Sequence, residues 1–319
     1  MTMHDDITDV PGMRVGHDTN LEAGTGCTVL LCDTTAVGGV DVRGGAPATH
    51  ETDLLHPLQM VEEVHAILLT GGSAFGLGAA SGVLHYLEEH GIGFDIGVAR
   101  VPIVPAAAIL DLAFGSANVR PDAAAGYRAC EQATAGPVQQ GNAGAGTGAT
   151  VGKTLGPAFA MKGGLGSAST QFSSDIVVGA LVVVNAFGDV VDPQTQQVIA
   201  GTRGSMVSDL LFPGSAPFGN TTIAVVATNA PLSKVAVNKI AQMAHNGIAQ
   251  AIHPAHTMFD GDTIFALASG SQPQVQMDPL QVSMIGAVAA TTLARAIVKA
   301  VHNATELHGM PAAGSSPTK

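Results

Sequence analysis

Apolar residues fall into short runs separated by polar stretches rich in glycine and proline, and the spacing inside each run predicts its element. Residues 28–32 (TVLLC) and 64–70 (VHAILLT) are continuous apolar runs of strand length, the pattern of strands covered on both faces. The stretch between them, DVRGGAPATHETDLLHP (41–57), is polar and punctuated by proline, and reads as loop. Gly71 and Gly72 then open a helical segment, SAFGLGAASGVLHYLEEHG, with Ser73 as its expected N-cap and Gly91 as its closing residue. Strand, glycine turn and helix in that order aim backbone N–H groups at a ligand. Pro102 and Pro105 exclude a helix interior from VPIVPAAAILDL. Residues 139–169 are glycine-rich, as loop or bulged strand, and 175–191 (DIVVGALVVVNAFGDVV) carry the strongest strand signal, with a turn at NAFGDV. Residues 200–219 are aperiodic and read as a mobile or exposed segment. A strand follows at 222–228. Ser233 then caps a helix whose Val237, Ile240, Ala241, Ala244, Ile248 and Ala251 share one face. A strand over 263–269 and a helix from Val282 to Val301 complete the pattern, and the tail 309–319 (GMPAAGSSPTK) is expected to be disordered.

Composition sharpens this into a tightly packed α/β protein. Of 319 residues, 46% are apolar, 12% are charged and 40 are glycine, which favours close backbone approaches. So few charges leave surface to be covered by other copies, and a homo-oligomer is expected. The net charge of −12, with no Lys/Arg cluster, speaks against nucleic acid. Cys27, Cys32 and Cys130 are too few and odd in number for a disulfide framework. With an acidic start lacking a signal-peptide pattern, they point to the cytoplasm. No run of eighteen apolar residues is free of glycine and charge, so no membrane span is expected.

Four groups of residues carry candidate chemistry. Gly152-Lys153-Thr154 ends like a phosphate loop, but the spacing puts Thr147 where the first glycine is required. His253, His256, Asp260 and Asp262 could be drawn as a hydrolytic metal site. Pro254 breaks the helix that would align the two histidines, so no metal is expected. Asp260-Gly261-Asp262 is a like-charge pair bent together by glycine, able to hold a proton or orient a hydroxyl or ammonium group. Finally, FGNTTIAVVATN (218–229) places Asn220-Thr221-Thr222 at the mouth of a strand. There, attack of Thr221 Oγ on the Asn220 carbonyl would give an ester, and water would then release a chain beginning with Thr221. Its new α-amine would sit beside its own hydroxyl as a base. Thr222 is the alternative nucleophile.

Five ordered blocks, VDVRGGAPATHETDLL, LTGGSAFGLGAASGV, VGALVVVNAFGDVVD, GNTTIAVVATN and HPAHTMFDGDTIFAL, together resemble the self-processing aminopeptidase/amidase family. That family contains the DmpA-type L-aminopeptidase/D-esterases, the β-aminopeptidases and the 6-aminohexanoate (nylon) oligomer hydrolases; the Asp-Gly-Asp pair looks most like the last branch. The resemblance runs from about residue 8 to residue 301. It implies an α/β fold, a four-layer αββα sandwich similar to N-terminal-nucleophile hydrolases but differently connected. It implies one catalytic domain cut between Asn220 and Thr221 into chains 1–220 and 221–319, assembled as tetramers or larger. It implies Thr221 as nucleophile, Asp260 and Asp262 as its supporting acids, Asn185 at the developing oxyanion, Lys153 beside the nucleophile, and no cofactor. Gly72, Ser73 and Phe75 are expected at the substrate pocket, with Phe75 standing where relatives carry tyrosine and so removing a hydroxyl. The expected substrate is a short peptide or small amide, linear aminohexanoate oligomers included. Three other readings stay open: an aminopeptidase or β-aminopeptidase only, a glycine-rich protein that binds a small ligand without turnover, and a metallohydrolase at His253, His256 and Asp262.

Overall fold

A computed structural model of the protein describes residues 3–203, 219–270 and 277–314. Most of the segment expected to be mobile, and the end of the tail, lie outside these. Nine strands form the principal sheet system: β1 (Met13–Asn20), β2 (Thr25–Val42), β3 (Thr49–His50), β4 (Glu63–Thr70), β5 (Ala106–Ala108), β6 (Gly164–Gln171), β7 (Val177–Asn185), β8 (Thr221–Thr228) and β9 (Thr263–Ala268). The helices that cover it are α1 (Ala80–Glu89), α2 (Ala123–Glu131), α3 (Lys234–Ala251) and α4 (Pro279–His302).

The strands join in the order β6-β7-β8-β9-β2-β4-β5-β3, with β1 also on β2. Strand β2 serves two sheets. Its first half, Thr25–Cys32, pairs with β1, and Val37–Val42 pairs with β9. Its ladder with β4 shifts register between Leu31 and Ala36, which is where the strand passes from one sheet to the other.

Period-two alternation then sorts the side chains into three cores. Leu181, Val183, Ile223, Val225, Phe265 and Leu267 meet Leu30, Ile67, Leu69 and Ala107 between the sheets. The alternate residues Ala180, Val182, Ala224, Val226 and Ile264 face Ile240, Ala244, Leu293 and Ile297 of α3 and α4. On the far side, Val29, Leu31, Ala66 and Leu68 face Val83, Leu87, Ala125 and Ala129 of α1 and α2. The layers are therefore helix, sheet, sheet, helix: the αββα sandwich that the resemblance implies. Every residue of β8 is buried, because both faces of this strand are covered.

The helix starts follow their caps. Ser233 Oγ accepts from Ala236 N at 3.3 Å, and the side chains of Asp278 and Gln281 cap the start of α4 reciprocally. Among the described residues α4 alone is long and apolar enough to cross a bilayer, yet Ile285, Leu293, Ile297 and Val301 lie in the core.

Three expectations change. Strand β2 continues to Val42, ten residues past the expected end, and the supposed loop after it contains β3. Ser73 is no N-cap: it lies inside a helical turn, Ser73–Gly76, preceded by Gly72 at φ 79°. The described part of the tail is laid against the body, with Lys162 N donating to Pro311 O at 2.8 Å and Ala312 buried. Asp189–Val191, the strand after the NAFGDV turn, leaves the principal sheet to pair with Val198–Ala200 and Ile252–His253.

Candidate active site

The central strands bring the candidate residues together. Thr221 opens β8 opposite Asn185, the last residue of β7. Asp260 bridges Asn220 in parallel, just before β9 begins at Thr263. Asn220, Thr221, Asn185, Asp260 and Asp262 are each buried.

The peptide bond between Asn220 and Thr221 is gripped from several sides. Thr221 Oγ1 donates to the carbonyl oxygen of Asn220, its own preceding residue. The N–H of Gly261 donates to the same oxygen at 3.0 Å. One residue upstream, the Gly219 carbonyl accepts from Lys153 Nζ at 2.9 Å and from Asn185 Nδ2 at 3.0 Å. Asn185 Nδ2 also donates to Leu110 O at 3.3 Å, while its Oδ1 accepts from Thr150 N and Lys153 Nζ. Asn185 thus serves the carbonyl of residue 219, and the backbone donor aimed at the Asn220 carbonyl is Gly261 N–H. Which backbone amide serves this oxygen could not be read from the sequence, because an amide has no residue-type signature.

The two aspartates are held differently. Asp260 Oδ2 accepts from Thr257 N at 3.0 Å and Thr257 Oγ1 at 2.5 Å, and Oδ1 accepts from Phe187 N at 3.3 Å. Burial, reinforced by the Asp262 charge, pushes the Asp260 carboxyl above the ordinary range despite these bonds. Asp262 Oδ1 accepts from Thr222 N at 2.7 Å, which pins the start of β8. Its Oδ2 accepts from His256 N at 3.0 Å and lies 2.7 Å from His256 Nδ1. Lys153 is partly exposed as a residue, but its amino end is enclosed. Burial there pulls its pKa down to about 7, against the opposing pull of Asp260.

A cavity of about 70 Å³ adjoins the bond, walled by Ala46, Ser73, Leu110, Gly219, Thr221 and Phe259, among others. Ser73 sits there with φ 56°, its N–H donating to Ile109 O at 2.9 Å. Gly72 is tied behind it, through its N–H to Asp111 Oδ1 at 2.7 Å. Phe75 is not part of the cavity wall. The residue is 62% exposed, with the Arg120 guanidinium 3.8 Å from the ring centroid. The drawn metal set does not assemble: His253 Nε2 faces Ala249 O, away from the His256–Asp262 pair. Thr222 meets Asp262 only through its backbone, while the hydroxyl facing the Asn220 carbonyl belongs to Thr221.

Known proteins place this arrangement. The family model described as peptidase family S58 matches residues 5–313. A protein of Mycobacterium bovis, named an uncharacterized aminopeptidase, is 45% identical over 96% of both chains. A 6-aminohexanoate-oligomer endohydrolase of Kocuria sp. is 33% identical, over 82% of this chain and 74% of its own. The solved L-aminopeptidase D-Ala-esterase/amidase of Ochrobactrum anthropi, described as a variant of the Ntn hydrolase fold, superposes with a TM-score of 0.76. It is 21% identical, over 97% of this chain and 88% of that one.

Proposed function

The chain belongs to peptidase family S58 and is a hydrolase of peptide or amide bonds, and we propose that it first cuts itself between Asn220 and Thr221 and then uses Thr221 as an N-terminal nucleophile. The observation that carries this reading is the seating of Thr221 Oγ1 against the Asn220 carbonyl, with Gly261 N–H on the same oxygen at 3.0 Å.

Attack by Oγ1 on the Asn220 carbonyl carbon moves the π electrons onto an oxygen that already faces a backbone donor, an oxyanion arrangement. The C–N bond then breaks, the Thr221 nitrogen takes the hydroxyl proton, and an ester joins Asn220 to Thr221 Oγ1. Water splits the ester into the Asn220 carboxylate and a chain starting at Thr221.

In the cut enzyme the free α-amine draws the proton from Oγ1 for attack on a substrate amide. The amine of the substrate departs with a proton, and water releases the acyl group. Asp262 holds the Thr222 N–H and so the position of the nucleophile, and Asp260 bridges Asn220 next to it. No step calls for a metal or an organic cofactor. The small cavity suits short peptides and small amides. The name of the Kocuria relative adds linear aminohexanoate oligomers to that class.

Intact mass and a denaturing gel test the reading. The wild type is expected as two fragments, one beginning at Thr221, and Thr221→Ala as a folded, inactive full-length chain. A Thr221→Ala protein that is cut normally, or a wild type that never converts, refutes it.

A further inference from the structure

Three N–H groups hold the buried Asp262 carboxylate, and two of them belong to His256. Oδ1 accepts from Thr222 N at 2.7 Å, while Oδ2 accepts from His256 N at 3.0 Å and faces His256 Nδ1 at 2.7 Å. The regular ladder between β8 and β9 begins only at Ile223 and Thr263. At Thr222 the carboxylate therefore stands in for a neighbouring strand. Whatever fixes that carboxylate fixes the residue next to Thr221.

The His256 ring is suited to this in one proton arrangement. A carboxylate oxygen accepts, so Nδ1 carries the proton and Nε2 of the neutral ring is a bare lone pair. That Nε2 is buried without a partner. His245 on α3 is arranged alike. Its Nε2 lies 3.0 Å from Asp41 O, which can only accept, so its Nδ1 is bare and is also buried without a partner. The two rings meet edge to face, with centroids 4.8 Å apart. Burial above all, with His256 adding to it, pulls the His245 pKa down to about 4. Beyond His245, Asp41 is paired with Arg43 at 2.7 Å. A neutral His245 gives the His256 ring neither a donor nor a cation, which leaves the ring to Asp262.

The backbone adds a second sign of demand. His256 sits at φ 56°, in the left-handed region that glycine and asparagine adopt far more readily than histidine. Strain held at a residue beside a reacting centre points to a use for its side chain.

We propose that His256 is a positioning residue for this hydrolase: its Nδ1–H locks the Asp262 carboxylate, the carboxylate locks the start of β8 through Thr222 N–H, and Thr221 Oγ1 is thereby held in line for attack. This rests on the nucleophile reading above. In this role His256 moves no proton.

Two substitutions separate the side-chain bond from the backbone. His256→Asn suits the left-handed φ and sets an amide N–H near the place of Nδ1, while His256→Gly suits it and offers no side-chain donor. Both keep the backbone N–H on Asp262. Wild type and variants are compared for melting temperature and for the half-time of self-conversion. Once the Thr221 N-terminus is confirmed by mass, kcat and KM are measured from pH 6 to 9 on an amino-acid anilide that the wild type turns over. His256→Gly is expected to convert, and to lose kcat, by roughly 10- to 100-fold with little change in KM, and added imidazole to return part of the loss. His256→Asn is expected to stay within roughly threefold of wild type with an unmoved pH profile. A folded His256→Gly that converts and turns over at the wild-type rate overturns the proposal. So does a folded His256→Asn that is as slow as glycine or has a shifted pH profile, since position alone would then not be the need; this variant decides even if His256→Gly fails to fold. A wild type that never begins at Thr221 overturns the nucleophile reading and the positioning role with it.

Discussion

A single methyl group at position 261 probes the seating of the proposed nucleophile, Thr221. The Cβ of an alanine there would lie 2.9 Å from Ala46 O, 2.9 Å from Thr221 Oγ1 and 3.2 Å from Thr221 Cγ2. Ordinary contact begins at 3.4 Å, so the first two approaches are about 0.5 Å too close. Ala46 is backbone tied by its own N–H to Asp260 O at 2.9 Å and resists retreat. Thr221 is therefore the neighbour that gives way. Overpacking of this kind costs about 1–3 kcal/mol, which a domain of this size survives. Displacing a reacting atom by up to an ångström costs on the order of 100-fold in rate. Gly261→Ala is thus expected to fold, with a modestly lowered Tm, and to convert to two fragments about 100-fold more slowly than wild type. The assay is the half-time of conversion by denaturing gel and intact mass. Gly78→Ala serves as the control, since its methyl group meets nothing within 4 Å. A Gly261→Ala protein that converts at the wild-type rate refutes the claim that close seating of Thr221 governs the cut.

Two further outcomes follow from buried charges. Burial lowers the Lys162 pKa from 10.5 to about 7, so between those values the unfolded chain holds a proton that the folded one lacks. Stability therefore rises with pH across that window, by up to about 1.4 kcal/mol per unit for this group. Lys162→Met should remove that slope in denaturant titrations at pH 7, 8 and 9, whatever it costs in absolute stability; an unchanged slope would show that the folded lysine keeps its proton. Thr257 lowers the otherwise raised pKa of Asp260 through its hydroxyl. Thr257→Val should accordingly shift the acidic limb of kcat/KM to higher pH, and an unmoved limb would mean that the Asp260 charge does not matter to turnover.

The parts legible in the sequence were those with an uninterrupted period. The face of α3, the run of β7 and the apolar strand after Thr221 are where their spacing put them. Strand β2 was expected to end at Cys32, where its apolar run meets Asp33, Thr34 and Thr35. In the fold those three polar residues are exposed at the register shift. Gly39 is required where α3 crosses, since a Cβ there would stand 2.8 Å from Asn238 N. That need arises between residues some two hundred positions apart and leaves no local trace. The residues of the site were named individually, but which atom serves which carbonyl is set by the pairing of β7, β8 and β9. Hence Asn185 engages residue 219, and a glycine N–H takes the Asn220 oxygen. Ser73 looked like a cap by type, whereas its N–H is claimed by Ile109 O and its backbone by the cavity wall.

Strands β8 and β9, both from beyond Asn220, lie side by side in the middle of their sheet, with β7 on one flank and β2 on the other. The two halves of the proposed processed enzyme are therefore interleaved like fingers in this sheet, which is complete in neither half. Released alone, residues 221–319 would present two naked strand edges, a template for aggregation. On the proposed self-cleavage, the bond between Asn220 and Thr221 would have to stay intact through folding and be dispensable afterwards. The ladders on both flanks of β8 and β9 would then order these events, with folding ahead of the cut.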